Sequence, residues 1–292
     1  MLDIVRNDIV YSVPEAIKLL DNDPEAKIIA GGTDVIIKIR AGKLPCAKLV
    51  SIGMLRELRG VSMEGDGTIK IGPLTTFHEL ESDALLTKHI PVLSGAAGTV
   101  GGPQIRAVGT IGGNICNGAT SADTASTLFT LNAKLQITSF ASVEEKDIED
   151  FYLGAGKVAL PQGALLTAIR IRKKDYDGYR GYYVKYAQRN AMDISTLGCA
   201  VQLKLDSRGN RIGDIRIAFG VAAPVPLRAK NTEMMLKGLS LTDAIEKGPE
   251  LLRAEIHPRD SWRASREFRI HIAGEIFKQS LTQAWKEVLS AC

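Results

Sequence analysis

The residues best suited to chemistry lie in one stretch, Ala107 to Thr124 (AVGTIGGNICNGATSADT), which sets Gly109, Gly112, Gly113 and Gly118 among Thr110, Asn114, Asn117, Thr120, Ser121 and Asp123. A backbone stripped of bulky side chains can approach a ligand closely, and successive N–H groups can then face an anion. In outline this is a phosphate cradle. Ser121 is suited to cap a helix over the segment that follows, whose positive end points back at the same loop. An earlier turn, Ala30-Gly31-Gly32-Thr33-Asp34, has the same character and follows the short run Lys27-Ile28-Ile29. Glycine pairs are common in strand-to-helix turns, so either loop alone is equally well explained by turn geometry. Two in one chain point to the two sides of one diphosphate.

Positioning these loops requires a strand before and a helix after each. Ala26 to Ile29 reads as a buried strand, and Val35 to Ile39 as a helix that Asp34 can cap and Ala41-Gly42 can end. Ser12-Val13-Pro14-Glu15 and Thr76-Phe77-His78-Glu79 have the capping-box form, the second opening a helix through about Leu86. Strands are expected at Lys48 to Ile52, Thr68 to Ile71, Ala133 to Ser139 and Leu165 to Ile171. A small-residue helix covers Pro91 to Val100 and ends at Gly101-Gly102-Pro103. The acidic run Glu144 to Asp150 reads as a solvated loop or helix start. The aperiodic, charged segment Arg172 to Gly181 marks a boundary. After it come three strands, Tyr182 to Tyr186, Leu197 to Leu205 and Ile212 to Val221, then helices over Leu241 to Ile256 and Ser265 to Leu289. The expected class is α+β: two subdomains over residues 1–175, then, over 176–292, a three-stranded antiparallel sheet with helices on one face.

Composition narrows the function. The 292 residues carry 37 basic and 33 acidic side chains spread along the chain, unlike the concentrated basic face of a nucleic-acid binder. No stretch approaches the roughly 20 apolar residues of a membrane span, and the N-terminus lacks a secretory h-region. The cysteines Cys46, Cys116, Cys199 and Cys292 are far apart. They read as free thiols in a reducing cytoplasm, without metal or iron–sulfur spacing. His78 has no second ligand at helical spacing and reads as a surface residue. A Rossmann site would show G-x-G-x-x-G after the first strand, and a P-loop would end in G-K-S/T; both are missing. What remains is a non-Rossmann site that grips a diphosphate with main-chain amides, for which a flavin dinucleotide fits best.

The pairing of AGGTD with TIGGN-x-x-x-G-x-x-S-A-D resembles the flavin-binding subunits of molybdenum hydroxylases, bacterial xanthine dehydrogenases in particular, within the PCMH-type FAD-binding fold shared with vanillyl-alcohol oxidases. The resemblance spans essentially the whole chain. It implies FAD on Lys27, Ile28, Ile29, Ala30, Gly31, Gly32, Thr33 and Asp34 as the first phosphate loop and on Gly109, Thr110, Ile111, Gly112 and Gly113 as the second. Asn114, Asn117 and Asp123 match polar cofactor positions, Leu165 would pack on the nucleotide, and Val184 and Lys185 would approach from the C-terminal domain. A cation at Lys185 would stabilise an anionic reduced flavin. Each has a plainer alternative: Asp34 and Asp123 as helix caps, Leu165 and Val184 as core, Arg189 with Asp193 as an ion pair rather than an aid to nicotinamide access, Cys116 as packing. The resemblance further implies NAD as acceptor, and molybdopterin and 2Fe–2S clusters on partner chains. It leaves no side chain here to act as acid or base. Other readings stay open: a flavin subunit serving carbon monoxide, nicotinate or an aldehyde, a nonenzymatic nucleotide-binding assembly module, and a stand-alone flavin oxidase.

Overall fold

The computed structural model describes residues 2–290. Its first unit is a parallel sheet in the order Ile4–Ile9, Ala47–Ser51, Lys27–Ile29. The helix Val13–Asn22 packs on it; Ser12 caps it, and Glu15 reaches back to the Tyr11 amide at 2.8 Å. The helix Val35–Arg40 follows the first glycine turn as expected. The second unit is a five-stranded antiparallel sheet, ordered Val61–Met63, Ile69–Ile71, Leu165–Ile171, Lys134–Thr138, Val143–Asp147. Its last strand occupies the acidic run read as loop or helix. Ion pairs of Asp147 with Lys134 and of Glu145 with Arg172 fix this charged edge, whose outward charges blunt further pairing.

The Thr76 capping box is complete, with Thr76 N donating to Glu79 Oε2 at 2.7 Å. Its helix stops at Ser82, because Asp83 takes extended geometry and caps a separate helix, Ala84–His89. Pro103 likewise opens a helix, Pro103–Val108, since a proline at the first position forfeits no hydrogen bond. The helix Lys230–Leu236 was not legible in the sequence.

In the C-terminal part Arg180–Tyr186, Leu197–Leu205 and Ile212–Gly220 pair antiparallel as expected, and a short fourth strand, Leu227–Arg228, joins the edge. The helices Leu241–Glu255 and Arg266–Ser290 complete this unit. The sheet is covered on both faces. Val184, Leu197, Cys199 and Val201 lie in the C-terminal core, whereas Tyr183, Ala200 and Ala218 belong to a core shared with Leu93, Ala96 and Leu128 of the preceding units. Among the described residues no helix is long and apolar enough to cross a membrane, and no cluster of possible metal ligands occurs. Cys46, Cys116 and Cys199 are free; Cys292 lies outside the described residues.

Candidate functional site

The two glycine turns meet. A Cβ built on Gly31 would stand 1.8 Å from the Val108 carbonyl oxygen and 3.2 Å from the Gly109 nitrogen, so the absence of a side chain lets the first turn lie against the start of the second. From the helix after the first turn, Lys38 Nζ donates to Asn117 Oδ1 at 2.7 Å and joins the two segments again. Gly32 takes φ +74°, a conformation that strains any side chain.

Within the first turn the amides of Gly31, Gly32, Thr33 and Asp34 find no acceptor among the described residues. These residues are half-buried or exposed, so the amides are open to solvent, and four in succession ahead of a helix suit phosphate oxygens. The residues fit a diphosphate. Asp34 makes no side-chain capping bond, so its exposed carboxylate is not a cap.

The second segment differs from its reading as an open cradle. Thr110 caps a helix, Ile111–Cys116, and its Oγ1 accepts from Gly113 N at 3.2 Å. The amides of Ile111, Gly112 and Asn114 go to the carbonyls of Thr75, Pro73 and Thr110. Once a hydroxyl caps the turn, these glycine amides are consumed within the protein. What Gly109 to Gly113 offer is a bare surface. Further on, the amides of Ala119, Thr120 and Ser121 find no acceptor among the described residues.

The next helix runs Asp123–Thr130 with Ala122 in the cap position, so Ser121 does not cap it and neither does the Asp123 carboxylate. Asp123 instead turns toward the C-terminal sheet. Its Oδ2 accepts from Lys185 Nζ at 2.8 Å and its Oδ1 from the Tyr183 hydroxyl at 2.9 Å, while Lys185 also donates to the Thr99 carbonyl at 3.0 Å. The Lys185 and Asp123 side chains are only 12% and 8% exposed. Burial pushes the Asp123 carboxyl above its ordinary value, against the pull of the Lys185 ammonium and the Tyr183 hydroxyl. Burial, with the Asp123 charge beside it, raises the Tyr183 phenol well above its usual range. Two of the three ammonium N–H groups of Lys185 are thus committed, and the third has no acceptor among the described residues.

Other expected residues take different places. Asn114 Oδ1 accepts from Thr124 Oγ1 at 2.7 Å, inside the second segment. Leu165 is 1% exposed in the N-terminal core beside Val10 and Leu20, and strand alternation turns Val184 into the C-terminal core, away from Asp123. Neither apolar side chain is brought to the Asp123–Lys185 pair. Arg189 and Asp193 form a local contact, Nη2 to Oδ1 at 3.6 Å, on an exposed loop. Tyr183, Thr99 and Lys38 were missed; of these only Tyr183 carried a signal, since it shares a strand face with Lys185 two residues on.

Residues 9–173 match the family described as the FAD binding domain in molybdopterin dehydrogenase, and residues 182–284 match the CO dehydrogenase flavoprotein C-terminal domain. The chain belongs to this family. As a flavin subunit it is 41% identical to the xanthine dehydrogenase FAD-binding subunit of Escherichia coli O157:H7, over 97% of both chains. It is 31% identical to the glyceraldehyde dehydrogenase medium chain of Sulfolobus acidocaldarius, over 95% of both. Its fold matches a chain of carbon monoxide dehydrogenase from Hydrogenophaga pseudoflava, solved without the Mo-pyranopterin moiety of its cofactor, with a TM-score of 0.91 at 28% identity, covering 98% of this chain and 99% of that one. The flavin subunit is accordingly part of an oxidoreductase.

The thiols of the flavin subunit separate by environment. Cys46 is exposed, Cys116 half-buried and Cys199 buried; loss of solvation pushes the Cys116 thiol up to about 12 and raises Cys199 as well. At pH ~8 a thiol reagent is expected to label Cys46 fastest in the folded protein, Cys116 much more slowly, and Cys199 only after denaturation. Peptide mass mapping checks this; labelling of Cys116 as fast as Cys46 would contradict it.

Proposed function

We propose that this chain is the FAD-carrying subunit of a xanthine dehydrogenase-type molybdenum hydroxylase, working with a molybdopterin subunit and a 2Fe–2S subunit and delivering electrons to NAD+ in the cytoplasm. The observation that carries it is the run of four free amides, Gly31 to Asp34, pressed by Gly31 onto the second glycine segment. FAD, when bound, supplies the redox chemistry. The protein's part is to hold and orient. The first turn would take the diphosphate, with Lys27 to Ala30 leading into it; Gly109 to Gly113 would offer the close surface. Asn117 holds the two segments together through Lys38, and the Asp123–Lys185 pair brings a cation to that region from the C-terminal domain. Residues 1–175 are read as the flavin domain and 176–292 as its partner domain, in keeping with the two family matches. A xanthine-type substrate is favoured by the 41% identity over nearly the whole chain, and partner chains by the medium-chain relatives of multi-subunit enzymes.

Two measurements test the proposal. The purified chain, incubated with FAD and then freed of unbound flavin, is expected to retain flavin absorbance near ~450 nm in a one-to-one ratio, and a chain that comes through colourless would end the flavin reading. The complex purified from its host is expected to form urate from xanthine with reduction of NAD+. Oxidation of carbon monoxide, nicotinate or an aldehyde in its place would keep the flavin role and replace the substrate.

A further inference from the structure

The Asp123–Thr130 helix is buried along its entire length and belongs to the first domain, yet side chains of the C-terminal domain hold it at both ends. At its start are Tyr183 and Lys185, already described. At its end are two arginines. Arg228 Nη1 donates to the Phe129 carbonyl at 3.1 Å and to Asn132 Oδ1 at 2.8 Å, and Arg216 Nη1 donates to the Thr130 carbonyl at 3.1 Å. Both are nearly buried, and both have carboxylate partners. Arg228 makes a two-pronged contact with Glu233 at 2.6 and 2.7 Å, and Arg216 lies 3.3 Å from Asp175. Asn132, at φ 46°, bridges the two systems by donating to Asp175 Oδ1 at 2.7 Å.

Because the carboxylates balance the charge, the remaining guanidinium N–H groups are available for direction rather than neutralisation. They point at the carbonyls on the negative end of the helix, the end that favours cations. A rigid helix fixed there cannot slide along its axis without breaking bonds to Phe129, Thr130 and Asn132. Its other end carries Asp123.

We propose that Arg216 and Arg228 are positioning residues of the flavin site: they set the axial position of the Asp123–Thr130 helix and so determine where Asp123 presents Lys185. They act through Asp123, a relation that rests on the flavin reading above. The C-terminal domain thereby adjusts the site it borders from the far end of a first-domain helix.

The test compares wild type, Arg228→Lys, Asp123→Asn and the double variant by FAD titration. Arg228→Lys keeps the charge but loses the fork. It is expected to weaken FAD binding by about tenfold, the scale of coupling through a packed element. Added to Asp123→Asn, it is expected to cost little more, because both act on one contact. Unchanged FAD affinity in Arg228→Lys, or losses that simply multiply in the double variant, would overturn the proposal. If Arg228→Lys does not fold, the pair Arg228→Gln with Glu233→Gln removes both charges together and is read the same way. Hydrogen exchange without flavin gives an independent reading: faster exchange in Arg228→Lys is expected at Ala125, whose amide donates to the Ala122 carbonyl at 3.1 Å at the start of the helix, and unchanged exchange there overturns the clamp. A wild type that binds no FAD overturns the flavin reading instead, and exchange alone then decides the clamp.

Discussion

Lys185→Met is expected to lower folding stability by about 3–5 kcal/mol, because it leaves the Asp123 carboxylate buried with only the Tyr183 hydroxyl for company. The size follows from asymmetry. Breaking one half of a buried ion pair strands a charge, whereas replacing both halves by apolar groups of similar volume is often neutral. The double variant Lys185→Met with Asp123→Leu is therefore expected to regain most of the lost stability in urea denaturation. It is not expected to regain FAD affinity, since the cation at the site is gone. A double variant as unstable as the single one would show that the pair matters for shape rather than charge. Recovery of full FAD binding in the double variant would remove Lys185 from the cofactor site.

Gly31→Ala is the second large effect. The new methyl group would fall 1.8 Å from the Val108 carbonyl oxygen, a backbone atom that cannot rotate away, so the two turns must separate by more than an ångström. Overpacking of this kind costs about 1–3 kcal/mol or more. A displacement of that size between groups holding one ligand costs about a hundredfold in what they do together. Thermal unfolding and FAD titration check the two parts. Gly65→Ala is the control: nothing lies within 4 Å of its added methyl group, and about 0.5 kcal/mol or less is expected. FAD binding equal to wild type in Gly31→Ala would mean that the two turns need not touch for the cofactor to bind.

The parts of this structure that were legible from sequence are those fixed by near neighbours. Ser12 with Glu15 and Thr76 with Glu79 start helices through hydrogen bonds three or four residues apart, and all three expected strands of the C-terminal sheet show their pattern within nine residues. The meeting of the glycine turns was legible only from the pair: either turn alone has an ordinary structural use, but two in one chain suggested one ligand between them, and Gly31 does lie against Val108 and Gly109. The fate of the second turn was not. Whether the Gly112 amide faces a ligand or the Pro73 carbonyl depends on a segment far away in the chain, and the protein carbonyl took it. The same holds for Val143–Asp147, whose acidic side chains are solvated as expected but whose backbone is a strand, because it pairs with Lys134–Thr138. Asp123 was expected at the cofactor or at a helix cap. Its partner Lys185 lies 62 positions on, and no local pattern pairs them.

The core that takes Tyr183, Ala200 and Ala218 from beyond the domain boundary has a practical meaning for anyone cutting the gene. Neither fragment on its own would possess a finished interior: the first would show a greasy wall where the sheet had been, and the second would bare the back of that sheet. The two family matches change over between residues 173 and 182, but that stretch is no place to divide the polypeptide.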